Sequence, residues 1–174
     1  VPPIIHQLIE QENGLILVTG ATGSGKSTTL SAMISAIDQH QARHIITLED
    51  PIEFVHSSLS CLIQQRELGS HTPSFSHALT GALRQDPDII LLGELRDLDT
   101  IRLALTAAET GHLVLATLHT RTATQAIDRL VDVFPAAEKA TIQAQLAASL
   151  RAVIAQKLCH KVGGGRIAVF EILT

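Results

Sequence analysis

Length, composition and charge narrow the class of protein before any motif is considered. The chain has 174 residues, 45% of them hydrophobic and 17% charged, which is typical of one folded domain and excludes a disordered chain. Thirteen Lys and Arg against seventeen Asp and Glu leave a formal net charge of −4, so no nucleic acid is expected as a partner. Cys61 and Cys159 form neither a disulfide scaffold nor a zinc motif, which favours a reducing, cytoplasmic location.

Hydropathy argues against a transmembrane segment. The longest apolar runs, such as residues 15–18 and 113–116, are far shorter than the roughly 20 residues that a spanning helix needs. The chain begins with Val1 and has no signal-peptide pattern. We therefore expect residues 1–174 to be a single excised domain.

The predicted elements alternate between short strands and longer helices. Strands are predicted at residues 15–18, 44–48, 89–92 and 113–118, and helices at residues 26–38, 74–84, 99–110 and 122–132. Asp99 is the predicted N-cap of the third helix, and Gly111 follows its end. Because the strands are continuously apolar, both faces of their sheet should be covered. The pattern predicts an α/β fold, a mostly parallel sheet with helices on both faces.

The C-terminal part is predicted to form a long helix and a hairpin. Residues 136–158 carry an apolar residue at every fourth position, formed by Ile142, Leu146, Leu150 and Ile154. This stripe indicates a core-facing helix, with an oligomer contact as the alternative. A run of three glycines at 163–165 then predicts a closing C-terminal hairpin. The region 52–67 has a less regular strand pattern.

The segment 20–27 matches the phosphate-binding motif GxxxxGK[ST], with a predicted strand before it and a helix after it. Glycines allow successive backbone N–H groups to face phosphate oxygens, and the helix adds the positive end of its dipole. Lys26 would reach the β- and γ-phosphates of ATP, and the Ser27 hydroxyl would ligate Mg²⁺. The predicted nucleotide-binding residues are Gly20, Ala21, Thr22, Gly23, Ser24, Gly25, Lys26, Ser27 and Thr28.

Acidic and imidazole side chains follow three other predicted strands, at the edge where ligands bind in parallel sheets. Glu94 directly follows the third strand and is the main candidate for activating water, with a share in metal binding. Gly93 occupies the position at which many enzymes with this phosphate-binding motif carry an Asp that associates with the metal. Glu49 and Glu53 compete for a second acidic role, and this choice stays open. His119 follows the fourth strand and could hydrogen-bond the γ-phosphate.

Four stretches in this order resemble the Walker A, Asp box, Walker B and His box of the type II/IV secretion ATPases. They are residues 20–27, 46–54, 86–97 and 110–120. The similarity spans essentially the whole chain. It is greatest for the pilus-retraction, twitching-motility type, because no tetracysteine insertion separates residues 156–158 from the last strand.

The resemblance implies a RecA-like P-loop core that works as a homohexamer and hydrolyses ATP with Mg²⁺. Hydrolysis would retract or disassemble type IV pili, at the inner-membrane platform of a pilus or secretion machine. The protein would then be cytoplasmic and peripherally associated with the membrane. The resemblance assigns catalytic roles to Glu94 and Glu53 and a nucleotide-linked role to His119.

Some features depart from this family pattern. Its members carry an N-terminal PAS-like domain that supplies arginines in trans, and further C-terminal helices, which this sequence does not include. We therefore expect the isolated chain to hydrolyse ATP weakly. Two alternatives remain: an accessory nucleotide-binding subunit with little motor activity of its own, and a DNA translocase, which the acidic charge and scarce aromatic residues disfavour.

Overall fold

The computed structural model describes residues 2–174 and contains six helices and seven strands within that range. The helices are α1 (Pro3–Leu8), α2 (Lys26–His40), α3 (Phe75–Leu83), α4 (Leu98–Glu109), α5 (Ala123–Asp132) and α6 (Lys139–Ser149). The strands are β1 (Gly14–Thr19), β2 (His44–Glu49), β3 (Leu62–Glu67), β4 (Ile89–Leu92), β5 (Leu113–Leu118), β6 (Leu150–His160) and β7 (Arg166–Leu173).

All seven strands form one sheet in the order β3-β2-β4-β5-β1-β6-β7. Every neighbouring pair is parallel except β6 and β7, which pair antiparallel as a hairpin. The carboxyl ends of β1, β2, β4 and β5 therefore meet along one edge. This edge is where the motifs identified in the sequence converge.

Two hydrophobic clusters cover the two faces of the sheet. Alternate residues of β1 separate cleanly between them, since Leu15 and Leu17 belong to one cluster and Ile16 and Val18 to the other. The first cluster holds side chains of α3, α4, α5 and α6, and the second those of α1 and α2. The predicted mostly parallel α/β sheet with helices on both faces is confirmed.

The helices predicted at 26–38, 74–84, 99–110 and 122–132 are present with small shifts of their ends. The predicted cap of α4 is wrong, however. Asp97, not Asp99, is the N-cap, and its carboxylate accepts hydrogen bonds from the backbone N–H and the hydroxyl of Thr100 at 2.9 and 2.8 Å. Asp99 lies inside the first turn, where its charge still favours the helix dipole.

The long helix predicted at 136–158 is also wrong. Its first part is α6, with Ile142 and Leu146 buried, but from Leu150 onward the chain is β6. Ile154 belongs to a continuous buried run, 152–156, of which residues 152–155 pair in parallel with β1. A strand with both faces covered is apolar throughout, so it also satisfies a four-residue spacing.

The hairpin predicted around the glycine run is confirmed, with β6 and β7 paired from Val153 and Leu173 at one end to His160 and Arg166 at the other. Of the irregular region 52–67, only Leu62–Glu67 forms a strand. Among residues 2–174, no helix has both the length and the apolar character needed to cross a bilayer.

Candidate nucleotide-binding site

The phosphate loop, residues 20–25, joins β1 to α2 and takes its shape from glycine. Gly23 and Gly25 have φ values of +76° and +90°, in the left-handed region that is costly for other residues. α2 begins immediately after Gly25. The loop backbone and the first turn of the helix thus face one cleft, an arrangement suited to binding an anion.

Lys26, the first residue of α2, is buried against this loop, with 8% of its surface exposed. Its Nζ donates hydrogen bonds to the carbonyl oxygens of Gly20 at 2.9 Å and Ala21 at 3.2 Å. Burial lowers the pKa of Lys26, while the negative charges of Glu94 and Glu53 act in the opposite direction. The two carboxylates predicted from the strand ends therefore lie within electrostatic range of the loop lysine.

His119 bridges Lys26 to Glu94. Its Nδ1 lies 3.4 Å from the Lys26 Nζ, and its Nε2 lies 3.2 Å from a carboxylate oxygen of Glu94. A neutral imidazole can accept a hydrogen bond at one nitrogen and donate one from the other. The same Glu94 oxygen is 2.7 Å from Nε of Arg96. Two residues predicted at separate strand ends, Glu94 and His119, thus meet beside the phosphate loop.

The structure explains the glycine that precedes Glu94. A Cβ built at Gly93 would lie 3.2 Å from the carbonyl oxygen of Leu48 and 3.3 Å from the Cα of Glu49. The Gly93 N–H donates to that same Leu48 oxygen at 2.7 Å, and the Thr117 hydroxyl donates to the Gly93 oxygen. The end of β2 therefore occupies the space in which an aspartate side chain would otherwise begin.

The two candidate carboxylates that follow β2 differ in their surroundings. Glu49 accepts hydrogen bonds from the Thr47 hydroxyl at 2.6 Å and from Nε2 of Gln65 at 3.1 Å. Glu53 lines the same cleft as Glu49, but it is exposed and acts electrostatically on Lys26. This geometry favours Glu53 for the second acidic role, because Glu49 is already held by neighbouring side chains.

Residues 50–61, the acidic loop, carry Glu53 and are held by side chains from elsewhere. Asp38, near the end of α2, is 3% exposed. It accepts backbone N–H groups of Leu59, Ser60 and Cys61 at 2.8 to 3.1 Å. The bond from Cys61, supported by those from Leu59 and Ser60, lowers the pKa of the Asp38 carboxyl, although burial alone would raise it.

Two β3 side chains hold the first part of the same loop. The backbone N–H of Ile52 donates to Glu67 at 2.9 Å, and that of His56 donates to Gln65 at 2.9 Å. Burial lowers the pKa of His56, which also lines the cleft. The acidic loop has no regular secondary structure, so these bonds determine its course.

Sequence reasoning missed Thr19, the last residue of β1, which is fully buried. Its hydroxyl oxygen accepts a hydrogen bond from the backbone N–H of Thr120 at 2.9 Å, and the hydroxyl donates one to the Thr120 carbonyl oxygen at 2.8 Å. These bonds pin the entry of the phosphate loop to the residue after His119. A polar residue ending a buried apolar strand is the signal that could have drawn attention to it.

The cleft has a volume of about 600 Å³ and brings most of the predicted residues together. The predicted residues that line it are Thr22, Gly23, Gly25, Lys26, Ser27, Thr28, Glu49, Glu53, Glu94 and His119. The carbonyl oxygens of Gly20 and Ala21 accept hydrogen bonds from the Lys26 Nζ, and Ser24 is buried within the loop. Leu158 and Arg166, which were not predicted, also line the cleft, from the β6–β7 hairpin.

The residues present fit a nucleotide and its metal. A Cβ at Gly20 would lie 2.5 Å from the Ser24 hydroxyl oxygen. The loop can therefore adopt this conformation only with glycine at position 20. Ser27 and Glu94 offer hydroxyl and carboxylate oxygens in the same cleft, the ligand types that Mg²⁺ prefers. These residues could hold the ion together with phosphate oxygens.

A buried strand, a glycine-shaped phosphate loop and a helix, with acids and a histidine on adjoining strand ends, define a RecA-like P-loop nucleotide-binding domain. Within this class, the chain belongs to the type II/IV secretion system protein family, whose model matches residues 3–164. The family expectation from the sequence motifs is thus confirmed.

Individual relatives agree with this assignment. The chain is 64% identical to the protein YggR of Escherichia coli (strain K12), covering 99% of this chain and 53% of that protein. It is 59% identical to the type IV pilus retraction ATPase PilT of Pseudomonas aeruginosa, covering 98% of this chain and 49% of that protein. The chain therefore spans about half the length of the curated relatives it matches.

Solved structures support the fold independently. The crystal structure of the pilus retraction motor PilT with bound ADP matches with a TM-score of 0.97 at 50% identity, covering 99% of this chain and 50% of that one. The ATPase DotB of Legionella pneumophila matches with a TM-score of 0.94 at 38% identity, covering 99% of this chain and 48% of that one.

Proposed function

We propose that this domain binds ATP with Mg²⁺ and hydrolyses it to ADP and phosphate. The observation that carries the proposal is the continuous contact from Lys26 through His119 to Glu94 at the mouth of the phosphate loop. A site for binding nucleotide alone needs the loop and its lysine. The added carboxylate and imidazole supply the groups that hydrolysis requires.

Each residue has a distinct part in the proposed reaction. The phosphate loop and Lys26 hold the phosphates, and Ser27 with Glu94 would hold Mg²⁺, which neutralises charge that develops on the phosphate oxygens. Glu94 accepts a proton from the attacking water. His119 orients the Glu94 carboxylate and, at its other nitrogen, faces the lysine head. Glu53 contributes a second negative charge to the same cleft.

The direct test is ATP turnover by the purified protein with and without Mg²⁺, using Glu94→Gln as the variant. The glutamine keeps the size of the side chain but cannot take the proton. Turnover should fall by at least about a hundredfold, while ADP affinity stays within a few-fold of wild type. Asp132→Asn, an exposed carboxylate paired with Lys139, is the matched control and should hydrolyse ATP normally. Normal turnover by Glu94→Gln would refute the catalytic assignment.

We further propose that hydrolysis drives pilus retraction or disassembly by a hexamer at an inner-membrane platform. Similarity to a pilus retraction ATPase supports this motor role. If this protein is the retraction motor, cells whose chromosomal gene encodes Glu94→Gln should lose pilus retraction. Unchanged retraction in such cells, with the main motor intact, would favour the accessory-subunit alternative instead.

The proposed assembly can be tested separately from catalysis. We expect the 174-residue chain by itself to be monomeric. If arginines from a second subunit complete the site, this monomer should hydrolyse ATP slowly. Light scattering beside an ATPase assay measures both properties. Brisk turnover by a monomer would show that no second subunit is needed.

A further inference from the structure

Gln156 lies behind the phosphate loop, outside the motif that defines it. It is a residue of β6 and is buried, with 5% of its surface exposed. Its Nε2 donates a 2.7 Å hydrogen bond to the carbonyl oxygen of Ser24, and its Oε1 accepts a 2.7 Å bond from the hydroxyl of Thr29. Both ends of one amide are thus engaged, one in the phosphate loop and one in the first turns of α2.

The loop packs against Gln156 more closely than a side chain would permit. A Cβ at Gly20 would lie 2.4 Å from the backbone oxygen of Gln156, and a Cβ at Gly25 would lie 2.8 Å from its Nε2. At Gly20 the backbone of the strand behind the loop leaves no room for a methyl group. At Gly25 a methyl group would instead push the Gln156 amide away from the position in which it bonds Ser24.

The bond to Ser24 sets the direction of the next N–H group. In a trans peptide the C=O and the following N–H point in opposite directions. Because Gln156 holds the Ser24 oxygen on the strand side, the N–H of Gly25 is directed away from that strand, and Gly25 lines the cleft. A rigid N–H aimed at the cleft is what phosphate binding by a loop backbone needs.

We propose that Gln156 is a positioning residue for phosphate binding, which fixes the Ser24–Gly25 peptide so that its N–H faces the phosphates. The bond to Thr29 locks the amide in the orientation that presents Nε2 to the loop. This inference rests on the proposed nucleotide binding. It adds that the affinity of the loop depends on a strand more than 120 residues further along the chain.

The test replaces Gln156 by methionine, which keeps the length of the side chain and removes both hydrogen bonds. The probes are ADP and inorganic pyrophosphate, measured by calorimetry with the purified protein well below its melting temperature. Gln156→Met should bind both probes about tenfold more weakly, the factor expected from losing one or two buried hydrogen bonds. Gln145→Met removes a glutamine on α6 that bonds Glu109 outside the cleft, and should bind both like wild type.

A second pair of variants covers the case in which Gln156→Met does not fold. Thr29→Val keeps the shape of the threonine but removes the hydroxyl that orients the amide, and should weaken binding about threefold. Thr29→Ser restores the hydroxyl and should restore affinity. This rescue separates positioning of the amide from simple packing.

The outcomes are distinct. A lower melting temperature with unchanged affinity for Gln156→Met would mean a purely structural role and overturn the inference. Equal affinities for Thr29→Val and Thr29→Ser would overturn it as well. If the wild-type protein itself binds neither probe, the proposed function fails, which is a different result from a variant that binds as tightly as wild type.

Discussion

The phosphate loop and the acidic loop leave the ends of parallel strands and face the same cleft, but they are held to different degrees by the rest of the chain. The phosphate loop relies mainly on its own glycine conformations and on the adjacent Lys26, with one distant side chain, Gln156, bonded to Ser24. The acidic loop depends on side chains from α2 and β3, above all Asp38. It also exposes apolar surface, with Val55 90% and Leu59 71% exposed.

This difference predicts that the two loops contribute to different properties of the protein. A loop shaped mainly by its own sequence offers a rigid set of N–H groups for phosphates, whereas a loop whose course depends on several distant side chains can respond to changes in them. Substitutions in the phosphate loop should therefore act mainly on nucleotide binding. Substitutions in the acidic loop and its anchors should act mainly on turnover and stability.

The largest effect is expected for Lys26→Met. The substitution keeps a long side chain but removes the cation, so ADP should bind about a hundredfold more weakly, because a charge-assisted contact to phosphate is lost. Calorimetric titration measures the affinity, with Glu53→Gln as a control that should bind ADP like wild type. Wild-type affinity in Lys26→Met would contradict the separation between the two loops.

Within the acidic loop, Glu53→Gln should reduce ATP turnover by about 10–100-fold with little change in ADP affinity. Glu49→Gln is the matched comparison and should reduce turnover less than about threefold, because Thr47 and Gln65 both donate to the Glu49 Oε1 and hold the side chain in place. Initial-rate assays at saturating ATP measure the difference. A larger loss for Glu49→Gln would reverse the assignment of the second acid.

The anchor of the acidic loop gives a pH-dependent prediction. Asp38→Asn should lower the free energy of unfolding by about 1–3 kcal/mol at pH 7, because the charged acceptor of three N–H groups is lost. Since folding depresses the Asp38 pKa below 3.8, its contribution is complete above that value. It is lost as the pH falls through the lower pKa of the folded state. Urea denaturation at several pH values measures this.

The control for the anchor is Asp132→Asn, whose exposed ion pair with Lys139 should contribute at most about 1 kcal/mol. At neutral pH, the free energy of unfolding of Asp132→Asn should stay close to that of wild type. The difference in this free energy between wild type and Asp38→Asn should shrink at strongly acidic pH, because Asp38 becomes protonated in the folded wild-type protein. A stability difference for Asp38→Asn that does not change with pH would rule out the charged anchor.

The smallest effect concerns the contact between the two strand ends. Gly93→Ala places a Cβ against Leu48 and Glu49 and should destabilise the protein by about 1 kcal/mol. Gly81→Ala, in α3 with no atom within 4 Å of its added Cβ, should stabilise it by about 0.5–1 kcal/mol. Thermal melts of the two variants should shift in opposite directions. Equal shifts would remove the explanation given for Gly93.

Much of the site was predictable because its signals are local in the chain. The phosphate loop needs only glycines, a lysine and a serine at fixed spacing between a strand and a helix, and Glu94 and His119 lie within two residues of the ends of apolar strands. Since parallel strands share one carboxyl edge, residues that follow different strands could be expected to meet. Their contact beside Lys26 follows from that rule.

The errors and omissions arose where distant parts of the chain decide the outcome. Residues 150–158 read as a helix because their apolar spacing fits one, but pairing with β1 makes them a strand. Gln156 could not be recognised, since its partners Ser24 and Thr29 come from the other end of the sequence. Likewise, nothing local indicated that Asp38 would bond residues 59–61.

The order of apolar and glycine-rich segments was by itself sufficient for the α/β fold and the phosphate loop, because short-range periodicity and turn chemistry are properties of neighbouring residues. The family expectation came instead from the resemblance of four motifs to those of known proteins. The tertiary structure alone decided the strand at 150–160, the tight contact that a side chain at position 93 would make, and the different hydrogen bonds of Glu49 and Glu53. These depend on pairing and hydrogen bonds between residues far apart in sequence. Such contacts form only when the sheet assembles and excludes water from their polar groups.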